Sequence, residues 1–104
     1  MEDKSQLLED EIRDRIRELV DEEAPAHRKF KFMEETVGST AMAWRNIYNG
    51  SQKASMVHLA MLGSIYPEYA AWLLTGKTED DQVNSSPVLK RIKRDLRKAG
   101  RDAA

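Results

Sequence analysis

Residues 41–46 carry side chains that are suited to contacts with the base edges of double-stranded DNA. The guanidinium of Arg45 can donate two parallel hydrogen bonds to guanine, and the amide of Asn46 can donate to and accept from adenine. Ala41 and Met42 can pack against the methyl group of thymine, and an exposed Met42 fits contact with a protein partner equally well. If these four side chains share the outer face of one helix, that helix has the residue types that a major groove requires.

The helix that must present these side chains is predicted over residues 41–49. Thr40 is a suitable N-cap, and the Asn-Gly pair that ends at Gly50 readily adopts the positive φ that terminates a helix. Three apolar residues recur on one face and are expected to be buried: Trp44, Ile47 and Tyr48. The stretch therefore has an inner apolar face and an outer face that is free for binding.

A second short helix is predicted immediately before it, over residues 28–37. Phe30, Met33 and Val37 fall on one face, and Gly38 is expected to end the helix in the left-handed conformation. Two helices joined by a tight glycine turn, with polar side chains on the outer face of the second, form the geometry that places a helix in the major groove.

The rest of the chain is also predicted to be helical. Apolar residues recur every three or four positions in four further stretches: 3–22, 56–65, 67–74 and 87–99. Their ends coincide with start and stop signals such as Pro25, Ser55, Ser86 and Gly100, and no long stretch alternates as a strand does. We therefore predict an all-α chain made of a compact five-helix domain over residues 1–76, a polar linker over 77–86, and a basic amphipathic C-terminal helix and tail over 87–104.

The segment 38–55, GSTAMAWRNIYNGSQKAS, resembles the helix-turn-helix of the lambda-repressor-like (Cro-type) family. That family has a turn glycine, a recognition helix that ends in Asn-Gly, and a basic stretch before the Ser or Thr that begins the next helix. The segment 67–76, PEYAAWLLTG, is similar to the family's closing helix, and the whole resemblance covers roughly residues 12–76. It implies a five-helix lambda-repressor-like helix-turn-helix domain that binds double-stranded DNA as a homodimer, on half-sites about 34 Å apart.

The resemblance also implies roles for individual positions. Base contacts are implied on the recognition helix and in the loop after it: Ala41, Met42, Arg45, Asn46 and Gln52. Phosphate contacts are implied at the start of the preceding helix, at the cap and in the same loop: Arg28, Lys29, Lys31, Thr40 and Lys53. Glu34 departs from the family pattern, which commonly has a small residue there, and we expect its side chain to be turned outward.

Charge is distributed unevenly along the chain, although the net charge is only −1. Residues 1–24 have a net charge of −6, residues 25–77 of +3 and residues 78–104 of +2. Because a polyanion responds to the local field of one face, the middle segment can provide a DNA-binding surface and the first segment cannot. The longest apolar run has six residues, against the roughly 20 that a membrane helix needs, and the first residues are acidic. We expect a soluble cytoplasmic protein with no membrane contact.

Other chemistries have little support in the sequence. His27 and His58 lie far apart, and there is no cysteine to serve as a metal ligand or nucleophile. The adjacent carboxylates of the Asp80-Asp81 and Glu34-Glu35 pairs point in different directions, and no phosphate-binding glycine loop or nucleophile turn is found. We therefore expect a protein that is not an enzyme and that needs no metal or cofactor.

The C-terminal helix has a narrow apolar stripe and a strongly basic remainder. The stripe consists of Val88, Leu89, Ile92, Leu96 and Ala99, and the other positions of 87–99 include six bases and one acid. Its basic residues fit DNA phosphate, an acidic lipid or the acidic N-terminal helix, and we favour contact of the stripe with a protein neighbour such as the second protomer.

Two functional hypotheses follow from these patterns. The first is a homodimeric, sequence-specific transcriptional regulator, either a repressor or a phage-type control protein. The second is a protein-interaction module on the same scaffold, such as an antitoxin-like or anti-repressor partner, which Glu34 and the acidic first segment favour.

Overall fold

The described part of the chain is built from helices alone. The computed structural model describes residues 4–78 and 86–102, and the side chains as far as Ala99. Within these ranges there are six α-helices: α1 (Lys4–Glu23), α2 (Lys29–Thr36), α3 (Ala41–Asn49), α4 (Met56–Ile65), α5 (Ala70–Thr75) and α6 (Pro87–Asp102). The all-α prediction is confirmed for these residues, and none of their helices is both long and apolar enough to cross a membrane.

Several boundaries differ from the predicted ones. The stretch predicted as a helix over 67–74 opens with a 3₁₀ turn, Pro67–Tyr69, before α5 begins, and a second 3₁₀ turn, Ala26–Arg28, precedes α2. Gly100, predicted to end the last helix, lies inside α6. Residues 79–85 of the predicted linker, including the Asp80-Asp81 pair, lie outside the described residues.

The predicted caps are present at three helices. The hydroxyl of Thr40 accepts a hydrogen bond from the backbone N–H of Ala43, and Ser55 accepts one from His58. Ser86 accepts one from Leu89 in the same way. Each hydroxyl satisfies an N–H group that has no partner within its own helix, so these residues define where α3, α4 and α6 begin.

The core is centred on the C-terminal half of α1. Side chains from five helices and the turn before α5 are buried there: Ile16, Leu19, Val20, Met33, Trp44, Ile47, Leu62, Tyr69, Trp72 and Leu73. Burial of this apolar surface, at about 25 cal/mol per Å², is the main force that holds α2 and α3 in place. The N-terminal half of α1 is less covered, since Leu8, predicted on the apolar face, is 54% exposed.

Candidate nucleic-acid interface

The turn between α2 and α3 is fixed by its backbone and by one indole. Gly38 has φ +120° and Ser39 has φ +64°, so the chain reverses through the left-handed region. Glycine adopts such a φ without steric cost. The indole N–H of Trp44 donates to the carbonyl of Gly38 over 2.7 Å. Because Trp44 is itself buried, this bond ties the turn to the core.

His58 connects the same turn to the start of α4. Its Nε2 lies 3.2 Å from the hydroxyl of Ser39, and its Nδ1 accepts from the backbone N–H of Ser55 over 3.2 Å. The imidazole also packs edge-on against Trp44, with ring centroids 5.2 Å apart. His58 therefore supports the turn, and the sequence contained no signal for this role beyond its place three residues after the cap Ser55.

Glu34 caps α3 from the neighbouring helix, and its side chain remains 33% exposed. Its carboxylate accepts from the backbone N–H of Ala41 over 2.7 Å and from the ammonium of Lys31 over 3.0 Å. The N–H of Ala41 and the charge of Lys31 together hold the pKa of Glu34 below its usual value. The reason is that the first turn of a helix presents free N–H groups and a partial positive charge, which attract a carboxylate.

A cleft between the start of α2 and the outer face of α3 brings together six of the ten predicted site residues. Its volume is about 610 Å³. The predicted residues that line it are Arg28, Lys29, Lys31, Ala41, Met42 and Arg45. Ala26, His27, Phe30, Tyr48 and Asn49 complete the lining. Met42 is 61% exposed, and the guanidinium carbon of Arg45 lies over the ring of Phe30, 5.9 Å from its centroid.

Three of the four Arg and Lys residues in this cleft are neutralised by carboxylates of the same chain. Arg28 donates to both oxygens of Glu35 at 3.0 and 3.1 Å, and Lys31 donates to Glu34. Lys29 is paired with Asp21 at 2.7 Å. Arg45 is the one Arg or Lys lining the cleft that forms no ion pair with any residue of the described ranges.

Lys29 lies in a cluster with Asp21 and Tyr48. Its ammonium donates to Asp21 over 2.7 Å and lies 4.7 Å from the centre of the Tyr48 ring, while the Tyr48 hydroxyl donates to Asp21 over 2.8 Å. Burial alone would raise the pKa of Asp21, but these two hydrogen bonds outweigh it and hold the pKa below its usual value. Tyr48, which we expected in the core, is half-buried: it packs against the core and also lines the cleft, where it contacts Lys29.

The other four predicted site residues lie outside the cleft. The Thr40 hydroxyl is engaged in capping, and Asn46 is half-buried with its backbone carbonyl accepting from Ser51. Gln52 and Lys53 line a separate cleft of about 130 Å³ against α1. There the Lys53 ammonium lies 3.1 Å from the carboxylate of Glu9.

The described residues contain no cluster of three or more metal-ligating side chains. The chain matches no protein-family model, and neither the curated proteins nor the solved structures include a significant match to it. The arrangement of the cleft is therefore the basis for a functional assignment.

Proposed function

We propose that this protein binds double-stranded DNA through the cleft between α2 and α3, acting as a lambda-repressor-like helix-turn-helix domain. The observation that carries the proposal is the cleft itself, in which three cations at the start of α2 face the exposed Met42 and Arg45 of α3. A duplex needs both parts, since phosphate contacts set the register of a protein and base contacts select the sequence.

In this proposal α3 enters the major groove and Arg45 is the principal base-contacting residue. Arg45 is exposed, has no carboxylate partner among the described residues, and can form two hydrogen bonds with one guanine. The guanidinium also lies within reach of a cation–π contact with Phe30, at 5.9 Å from its ring centroid. Met42, one turn earlier, packs against a thymine methyl group.

Arg28 and Lys31 contact DNA phosphate by leaving their carboxylate partners, Glu35 and Glu34. Both side chains are about half exposed, at 45% and 58%, and such surface ion pairs contribute only about 0–1 kcal/mol. A DNA phosphate can replace Glu35 or Glu34 as the anion, and the release of counterions from the duplex favours the exchange.

The proposed assembly is a homodimer that regulates transcription, either as a repressor or as a phage-type control protein. Two recognition helices related by a twofold axis would contact half-sites about 34 Å apart. The dimer adds the contacts that the single outward face of α3, with its few polar side chains, lacks.

The salt dependence of duplex binding tests the proposal. Each phosphate neutralised should contribute about −0.9 to the slope of log affinity against log salt. Removing Arg45 in Arg45→Ala should weaken binding, while Lys77→Ala, which removes an exposed cation outside the cleft, serves as the matched control. Equal losses for the two variants, or a slope near zero, would rule out this cleft as the DNA surface.

A second candidate function is that of a protein-interaction module on the same scaffold, such as an antitoxin-like or anti-repressor partner. The observation that favours it is the pairing of Arg28, Lys29 and Lys31 with carboxylates beside the exposed Met42. A partner held by apolar contacts would bind with little dependence on salt, so the titration that tests DNA binding also distinguishes the two functions.

A further inference from the structure

Helix α6 is attached to the rest of the protein by its charged side. Arg91 donates to Glu22 at 2.8 Å, and Arg94 lies 3.2 Å from the same carboxylate. Lys90 donates to Glu23 at 2.6 Å. The Glu22 side chain is only 7% exposed, so these contacts place the start of α6 firmly against the C-terminal end of α1.

Most of the apolar stripe of α6 is exposed to water, although Leu89 is half-buried. Val88, Ile92 and Leu96 follow one another at intervals of four residues and are 50%, 47% and 67% exposed. At 3.6 residues per turn, Lys90 and Arg94 lie on the opposite side of the helix from Ile92, while Arg91 lies at the boundary between the two sides. An amphipathic helix normally does the reverse and buries its apolar face, so a further surface must cover the stripe.

The same chain has an apolar groove between α4 and α5 that none of the described side chains fills. Its volume is about 370 Å³, and its lining includes Met56, Ala60, Gly63, Leu73 and Leu74. Ala60 and Gly63 provide little side-chain bulk, while Met56 and Leu74 stand at 84% and 59% exposure. Small residues between large apolar ones make a groove into which the side chains of a helix can insert.

We propose that the α4–α5 groove of one protomer is occupied by the apolar stripe of α6 from a second copy of this chain. Both surfaces are apolar, both are exposed within one chain, and the stripe has the spacing of a helix-in-groove contact. Direct pairing of two α6 stripes is disfavoured because residues 87–99 carry six bases and one acid, which would repel one another across that contact.

Charge along the edge of the groove favours α6 as the occupant. The guanidinium of Arg15 in α1 donates to the carbonyl of Leu73, which lines the groove. Glu11 lies one turn before Arg15, is exposed, and forms no ion pair with the described residues. Lys93 and Arg97 border the stripe of α6 and are likewise exposed without an ion pair in these ranges. An α6 helix in the groove can bring these opposite charges together.

Exchange of α6 in both directions would close a twofold dimer. The groove shares no residue with the α2–α3 cleft, so the dimer leaves the proposed DNA surface accessible. The inference concerns the homodimer named above but does not require DNA. Its tests contain none, so a failure of this contact and a failure of DNA binding are observed separately.

The first test is the mass of the full chain in solution, measured over a range of concentrations. We expect a dimer that weakens by about tenfold or more, roughly 1.4 kcal/mol, in both Ile92→Glu and Leu74→Glu. Val57→Glu is the matched control, because Val57 is also exposed on α4 but does not line the groove. The proposal would be overturned if the wild type were a monomer at all concentrations. It would also be overturned if Val57→Glu weakened the dimer as much as the two groove and stripe variants do.

The second test uses the absence of cysteine from the natural sequence. Ile92→Cys and Leu74→Cys chains are mixed and oxidised, and the expected product is a disulfide-linked dimer with one chain of each kind. Disulfide formation mainly within Ile92→Cys chains would show that the α6 stripes pair with each other. Equal coupling of Ile92→Cys to Val57→Cys would show that the contact is unspecific, and either result contradicts the proposal.

Discussion

The carboxylate of Glu34 in α2 accepts a hydrogen bond of 2.7 Å from the backbone N–H of Ala41, the first residue of α3. Thr40 accepts from the N–H of Ala43 in the same turn. Two of the free N–H groups at the start of α3 are thus satisfied, one of them by a charge from the preceding helix. This contact holds α2 and α3 together at the end that would approach DNA.

Glu34→Gln should therefore destabilise the fold in a way that depends on pH. Because the pKa of Glu34 is lowered in the folded state, its carboxylate stabilises the fold above the usual carboxyl pKa, and this stabilisation is lost as pH falls through the lowered value. The difference in unfolding free energy between wild type and variant should be largest near neutral pH and should shrink in acid.

The matched control for this prediction is Glu11→Gln. Glu11 is exposed and forms no ion pair with the described residues, so its replacement should change the unfolding free energy little at any pH. If both variants showed the same pH dependence, the capping contact of Glu34 would not be the cause.

The same substitution should strengthen DNA binding. Glu34→Gln removes a negative charge at the start of α3 and releases Lys31, which is paired with it at 3.0 Å. We expect affinity to rise several-fold for all duplexes alike, measured by fluorescence anisotropy at low salt. Unchanged or weaker binding would indicate that neither residue lies near phosphate.

Trp44→Phe should cost more stability than Trp72→Phe. Both substitutions remove part of a buried indole, but only Trp44 donates a hydrogen bond to a turn carbonyl, that of Gly38. Leaving that carbonyl without its partner should add about 1–3 kcal/mol to the loss, which denaturant unfolding can measure. Equal losses would mean that the indole N–H does not stabilise the turn.

The unfolding free energy should also depend on pH in the alkaline range, because of Tyr66. Burial, assisted by the charges of Glu23 and Glu68, raises the pKa of Tyr66 from 10.0 to about 12. The neutral hydroxyl of Tyr66 therefore stabilises the fold fully below pH 10, and this stabilisation is lost as pH rises towards about 12. In Tyr66→Phe the unfolding free energy should fall less steeply with pH over this interval. An unchanged slope would show that ionisation of Tyr66 is not the cause.

Much of the fold could be predicted from local signals. Thr40, Ser55 and Ser86 marked the starts of α3, α4 and α6, since a hydroxyl before an apolar period has a direct local role as an N-cap. The prediction that Gly100 ends the last helix was wrong, because a glycine permits a helix end without requiring one. Helix α6 continues through Gly100.

The charge pairing of the candidate site could not be predicted in the same way. Asp21 and Lys29 are eight residues apart in different helices, and their contact depends on how α1 crosses α2. Lys53 contacts Glu9 for the same reason, although the loop after α3 had been expected to contribute phosphate contacts. Residue types indicated which groups could bind DNA, but only packing decides which carboxylate lies beside each one.

DNA binding by α3 is tested most directly by selecting bound duplexes from a random library, read by sequencing, for wild type, Arg45→Ala and Arg28→Ala. We expect a symmetric motif for wild type and loss of preference at one position per half-site in Arg45→Ala, at a cost of about 1–3 kcal/mol. Arg28→Ala, which removes a proposed phosphate contact of the same cleft, should keep the motif and weaken all sequences alike. An absence of any enriched motif, or a motif unchanged in Arg45→Ala, would contradict the assignment of α3 as a recognition helix.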